Sequence, residues 1–168
     1  VFALRAQNGR PMWSDTLTTV RRVNAVSALA DIRARPVIDG ERVYAVSHSG
    51  RMASIDLRTG ARIWDIELAG TEQPWVAGDF IYVMTTDSEL VCLTRDDGRV
   101  RWIQGLPRFV DEEDSEGVIQ WSGPALVGDR LIVTGSNGEA FSVSPYTGEI
   151  LGRMALRNAA HVLGADAR

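Results

Sequence analysis

The chain has 168 residues, 45% hydrophobic and 24% charged, enough for one domain with a real core. Its net charge of −4 argues against nucleic acid as a partner, and no apolar run nears the roughly 20 residues that cross a bilayer as a helix. The single cysteine, Cys92, excludes an internal disulfide framework and a cysteine-rich metal site. It lies in the alternating run ELVCLTR and reads as a buried, inert thiol. All 18 basic residues are arginine, which suits bidentate pairing with carboxylates. The chain opens in a strand-like run, Val1-Phe2-Ala3-Leu4, with no initiator methionine. It is therefore read as a piece of a longer protein.

In chain order, the first predicted element is half of a repeated unit, residues 1–17, in which Gly9 stands four residues before Trp13. Residues 18–33 break the repeat and are predicted as a loop. Three full units follow over 34–70, 71–106 and 121–157, separated in the second gap by an acidic insertion over 107–120. Their prolines are Pro36, Pro74 and Pro124, and each is followed four residues later by a glycine, Gly40, Gly78 or Gly128. A second glycine, Gly60, Gly98 or Gly148, comes twenty residues after the first. The units recur after 38 and then 50 residues, a register kept over three copies. Residues 158–168 form a tail that either begins another unit or stays loose.

Each unit reads as four short strands. In the first, RPVID, RVYAVSH, RMASIDL and RIWDIEL alternate with period two, which excludes the helical period of 3.6. Pro36 suits the beginning of the first strand, where no ladder donor is required. Val43, Ala45 and Ser47 share one face, with Tyr44 and Val46 on the other. Trp64, Ile66 and Leu68 oppose Ile63, Asp65 and Glu67. Ser49-Gly50, Asp87-Ser88 and Asn137-Gly138 are predicted as two-residue hairpin turns, with positive φ expected at both positions of the Asn-Gly pair. Gly60, Gly98 and Gly148 are placed where a second hairpin needs a left-handed residue. Repeated four-strand units of about 40 residues mean propeller blades, stacked because one blade alone cannot bury both faces of its sheet. The predicted fold is an all-β, antiparallel arc of about three and a half blades.

The ending Asp56, Thr59, Gly60, Trp64, with weaker versions at Gly9-Trp13 and Gly98-Trp102, resembles the repeat of quinoprotein-type propellers. The resemblance implies that Trp13, Trp64 and Trp102 pack between blades and dock near the next blade's turn. The third full unit departs from this, with Gly152 at the tryptophan position. LADIRARPVIDGERVYAVSHSGRMASIDLRTGARIW, PWVAGDFIYVMT and GPALVGDRLIVTGSNGEAFSVSPYTGEILG are similar to the BamB family of outer-membrane assembly lipoproteins, over residues 1–157. That resemblance implies an eight-bladed periplasmic propeller, lipid-anchored at a terminus that precedes Val1, without catalytic activity or cofactor. It implies binding to the central barrel-assembly subunit, BamA, through loops on one propeller face.

Function is expected in the segments that break the repeat. The loop carries Arg21, Arg22, Asp31 and Arg33, followed by Arg35, beside apolar Val23, Val26, Leu29 and Ile32. The resemblance assigns partner binding to this region. Asp31 matches the family's acidic position, whereas Arg33 stands where a second acid is common. The acidic run Asp111, Glu112, Glu113, Asp114 and Glu116 reads as a solvated, mobile loop tip, since its spacing is not that of a calcium loop. No catalytic, cofactor-binding or metal-ligating residue is assigned. His48 and His161 are tied by no spacing to each other or to a carboxylate, and His48 is expected at the surface beside a turn. The alternatives are a piece of a pyrroloquinoline-quinone-dependent dehydrogenase and a general envelope adaptor. Unpaired propeller edges are expected to favour association between copies.

Overall fold

The computed structural model describes residues 1–17 and 34–156, and these form sixteen strands joined by turns. Strands β1 (Phe2–Leu4) and β2 (Pro11–Ser14) make a two-stranded ribbon. The first four-stranded sheet runs β3 (Val37–Asp39), β4 (Arg42–Val46), β5 (Arg51–Asp56) and β6 (Arg62–Glu67). The second runs β7 (Trp75–Ala77), β8 (Phe80–Met84), β9 (Glu89–Thr94) and β10 (Val100–Gly105). A separate ribbon, β11 (Phe109–Asp111) with β12 (Glu116–Val118), precedes the third sheet. That sheet runs β13 (Trp121–Val127), β14 (Arg130–Gly135), β15 (Glu139–Val143) and β16 (Ile150–Ala155). In every sheet the strand order follows chain order and neighbours are antiparallel, as the repeat predicts.

The two middle strands of the first two sheets are buried on both faces, because each sheet packs between neighbours. Alternation divides their side chains between two layers. Val43, Ala45, Ala53 and Ile55 pack toward Trp13 of the N-terminal ribbon and Leu17 just after it. Tyr44, Val46 and Met52 pack the other way, onto Ile81, Val83, Val91 and Leu93 of the second sheet. The next layer joins Tyr82, Met84, Leu90 and Cys92 to Leu131, Val133, Phe141 and Val143. Each fully buried Val, Ile or Leu contributes about 1.5–3 kcal/mol relative to exposure, so these layers dominate cohesion between blades. The outer strands are half in solvent. In β6, Trp64 and Ile66 face inward while Ile63, Asp65 and Glu67 face out.

The turn before each outer strand shows why the Asp-x-x-Thr-Gly pattern is used. Asp56 Oδ1 accepts the Thr59 amide at 2.7 Å, the Thr59 hydroxyl at 2.6 Å and the Arg58 amide at 3.1 Å. The Thr59 hydroxyl, more than any other group, holds the Asp56 carboxyl below the usual carboxylate range. Gly60, at φ +76°, then closes the turn by donating to the Asp56 carbonyl at 2.9 Å. The second and third blades reach the same shape with Thr94 and Ser144 in place of Asp56.

Three sequence expectations are corrected. The turns at Ser49-Gly50, Asp87-Ser88 and Asn137-Gly138 carry positive φ only at their second residue, Gly50, Ser88 or Gly138. In the third, Gly138 N–H donates to the Gly135 carbonyl at 3.0 Å, so three residues connect β14 to β15. A type I turn followed by one left-handed residue produces this pattern and does not need positive φ at Asn137. Second, Pro124 lies within β13, which begins at Trp121. The β13–β14 register shifts between Ser122 and Ala125, and that irregularity at an edge strand accommodates a residue with no amide donor. Third, the acidic run lies at an exposed tip as expected, but the insertion around it is a paired ribbon, β11–β12, where the sequence suggested only a loop. Ile119 and Trp121 anchor its stem in the core, and the Trp121 indole donates to the Pro107 carbonyl at 2.8 Å.

Candidate functional site

The inter-blade tryptophans lie where the sequence places them. The Trp64 indole N–H donates to the Arg95 carbonyl of the next blade at 3.0 Å. Its ring covers Gly98 so closely that a Cβ there would lie 2.8 Å from Trp64 Cε3. Trp13 repeats this on Leu57 and Gly60, and Trp102 on Pro145 and Gly148. Each ring therefore fills a slot that exists because the turn residue has no side chain. Tyr44 and Tyr82 back Trp64 and Trp102 at centroid distances of 6.1 and 6.0 Å. Gly152 stands at the tryptophan position of the third sheet, where a Cβ would meet Ser142 Oγ at 3.2 Å.

Arginine adds a second inter-blade tie that pattern reading missed. Arg95 Nε donates to the Tyr44 hydroxyl at 3.0 Å, and the same guanidinium pairs with Asp39 and donates to the carbonyls of Asp39 and Gly78. Arg42 crosses in the opposite direction, donating to the Arg95 carbonyl at 2.8 Å. Arg62 grips Asp15 with two bonds of 2.7 Å, and this pairing is the largest influence holding the Asp15 carboxyl below its ordinary range. These residues tie neighbouring sheets to one another.

Topology decides where loops can act. In an up-and-down sheet, successive turns emerge at opposite ends of the strands. The turns after β4, β8 and β14 therefore share one end with every connection from an outer strand to the next blade. Residues 15–36 and 106–120 are two such connections, and Leu68–Pro74 is the short third. Direct bonds tie this end together. Gly70 N–H donates to the Ser47 carbonyl, Thr86 N–H to the Ala69 carbonyl and Ser136 N–H to the Gln120 carbonyl. Both segments that interrupt the repeat thus leave from the same face, called here the junction face.

Of the predicted partner-binding residues, Arg21, Arg22, Asp31 and Arg33 lie outside the described residues, as do His161 and the tail. Arg35 is described and exposed. The loop's two flanks are anchored: Leu17 is fully buried beside Asp15, whose Oδ1 accepts the Leu17 amide at 2.7 Å, and Ala34 is buried against the first two blades. Arg35 therefore stands at the rim of the junction face, one residue from a fixed point. His48 is exposed on this same face. Among the described residues, no group of three or more His, Cys, Asp or Glu is arranged to hold a metal ion.

Cys92 is buried, and desolvation pushes its thiol up to about 12. Tyr82 is likewise pushed up to about 12, first by burial. Both groups stay neutral in the folded chain where an unfolded chain would ionise. Their contribution to stability is full below about pH 9 and is lost as pH rises toward about 12. Urea unfolding midpoints are expected to hold steady from pH 6 to 8 and to fall above about pH 9. A thiol reagent at pH 8 is expected to label Cys92 only after denaturation, since raising the pKa from 9.0 to about 12 leaves about a thousandth of the thiolate.

Comparison with known proteins agrees with this architecture. Residues 1–104 match the family model described as outer membrane protein assembly factor BamB. The BamB of Salmonella typhimurium is 29% identical over 133 residues, covering 72% of this chain and 34% of that protein. The crystal structure of BamB from Moraxella catarrhalis superposes with a TM-score of 0.78 at 22% identity, covering 93% of this chain and 44% of that one. Quinohemoprotein alcohol dehydrogenase from Comamonas testosteroni shares the blade fold, with a TM-score of 0.62 at 19% identity over 83% of this chain and 25% of its own. The chain spans about a third of the length of the curated relatives it matches. The inter-blade tryptophans, the four-strand repeat and the match over residues 1–104 together place this chain in the BamB family of outer membrane protein assembly factors.

Proposed function

We propose that the chain is part of a non-catalytic scaffold of the outer-membrane β-barrel assembly machinery, and that it binds the central barrel-assembly subunit, BamA, through the junction face. The observation that carries this reading is the exit of both repeat-breaking segments from one end of a rigid, multiply tied stack of blades. In this scheme Arg21, Arg22, Asp31, Arg33 and Arg35 steer and register the partner, and Val23, Val26, Leu29 and Ile32 supply the desolvated centre of the contact. Such a scaffold works on the periplasmic side of the outer membrane, held in the full-length protein by an N-terminal lipid.

Rigidity is what the blades contribute. A loop held at Leu17 and Ala34 loses less conformational freedom on binding than one that is free at both ends. The test is retention of the assembly subunit by the full-length protein carrying Asp31→Arg or Arg33→Glu. Each single charge reversal in a desolvated contact is expected to weaken retention by about tenfold or more, since such pairs carry about 2–5 kcal/mol. Equal retention by wild type and both variants would contradict the assignment of these residues.

A further inference from the structure

A second feature of the junction face is built from described residues between His48 and Ser122. A groove of about 590 Å³ runs between the turns after β4 and β8 and the stem of the β11–β12 ribbon. One wall is polar, with His48, Glu72 and Thr86. The other is the ribbon, where Phe109 and Val118 pair across the strands, above a floor of Ile119 and Trp121. Val118 is 70% exposed and so presents an accessible apolar surface on the groove wall.

Strand alternation fixes what lies farther out. Asp111 and Glu116 are the next cross-strand pair on the same side of the ribbon as Phe109 and Val118. An apolar step at the base of the wall is therefore followed by a carboxylate step at its rim, and Glu112, Glu113 and Asp114 extend the negative charge over the exposed tip. Arg108 itself lines the groove, and its exposed pairing with Asp87 at 3.7 Å offsets part of its charge. Asp111 Oδ1 accepts the Glu113 amide at 3.0 Å and the Asp114 amide at 3.2 Å, which shapes the tip but leaves both carboxylate charges without a cation among the described residues, and two like charges paired across a ribbon favour one brought from outside.

We propose that this groove seats an extended segment of a partner protein in which apolar and basic side chains alternate. The period of two of such a segment sends its apolar side chains to Phe109 and Val118 and its basic side chains to Asp111, Glu116 and Glu72. The residues named here are other than those of the 21–35 segment, and the proposal does not depend on which assembly the chain serves.

The probe is a fluorescein-labelled decapeptide of alternating valine and lysine, compared with one in which glutamate replaces lysine. Anisotropy titrations of the full chain at 50 and 300 mM salt read the affinity. The lysine probe is expected to bind saturably and to weaken by about tenfold in the higher salt. The Asp111→Lys/Glu116→Lys variant, changed only at exposed positions, is expected to lose about tenfold for the lysine probe and to gain binding of the glutamate probe. An unfolded variant would not give that exchange of preference. Val118→Asp is expected to weaken the lysine probe by about tenfold. Absence of saturable binding to the wild-type chain, or equal affinity of both probes, overturns the proposal, as does unchanged binding in both variants.

Discussion

Replacing Trp64 by alanine is expected to destabilise the chain by about 3–5 kcal/mol, toward the lower end because the ring is half-buried. The substitution empties the slot over Gly98 and removes one of two donors to the Arg95 carbonyl, leaving Arg42 as the other. It also removes the ring against which Tyr44 packs. Ile63→Ala, one residue away but 44% exposed and facing out, is the control and is expected to change stability by about 0.5 kcal/mol or less. Urea denaturation of the two variants beside wild type measures the difference. A Trp64→Ala effect as small as that of Ile63→Ala would mean that the seam between the first two blades does not depend on the indole.

Gly98→Ala is expected to cost about 2–4 kcal/mol, far more than a methyl group at a surface turn, for two reasons that add. Its φ of +71° is unfavourable for any residue with a Cβ, at about 1–2 kcal/mol. The new Cβ would also sit 2.8 Å from the Trp64 ring, which is held by its bond to Arg95 and cannot withdraw freely. The two causes separate in a double-mutant cycle. With Trp64 already alanine, only the backbone strain is left, and the cost of Gly98→Ala is expected to fall to about 1–2 kcal/mol. Strict additivity of the two substitutions would show that ring and glycine do not share one slot.

Much of this arrangement is legible in the residues because the repeat samples one geometry several times. A tryptophan four residues after a left-handed glycine is ambiguous once. Found at Trp13, Trp64 and Trp102 in one register, it identifies a seam. Period-two alternation likewise assigns Tyr44 and Val46 to one layer and Val43 and Ala45 to the next. Harder to read is whatever depends on one copy or on tertiary partners. Asn137-Gly138 has the composition of a two-residue turn, yet the strand spacing leaves three residues in the connection. Five carboxylates within six residues suggest mutual repulsion and a loose tip, but the apolar anchors Ile119 and Trp121 lie outside that window and close the ribbon. Arg95 carries no motif, since its partners, Tyr44 and Asp39, lie more than fifty residues away. The junction face emerges only from the order of strands in the sheets, which makes two segments of unrelated sequence leave from one end of the blades.

That face is the centre of the functional account, and crosslinking in living cells examines it most directly. A photoreactive amino acid placed singly at Arg35, Glu72 or Phe109 would report from the junction face, and at Glu41, Asp79 or Asp129 from the opposite end of the blades. In the full-length protein, adducts with the barrel-assembly subunit are expected from the first set and not from the second. Adducts formed only from Glu41, Asp79 or Asp129 would contradict the account.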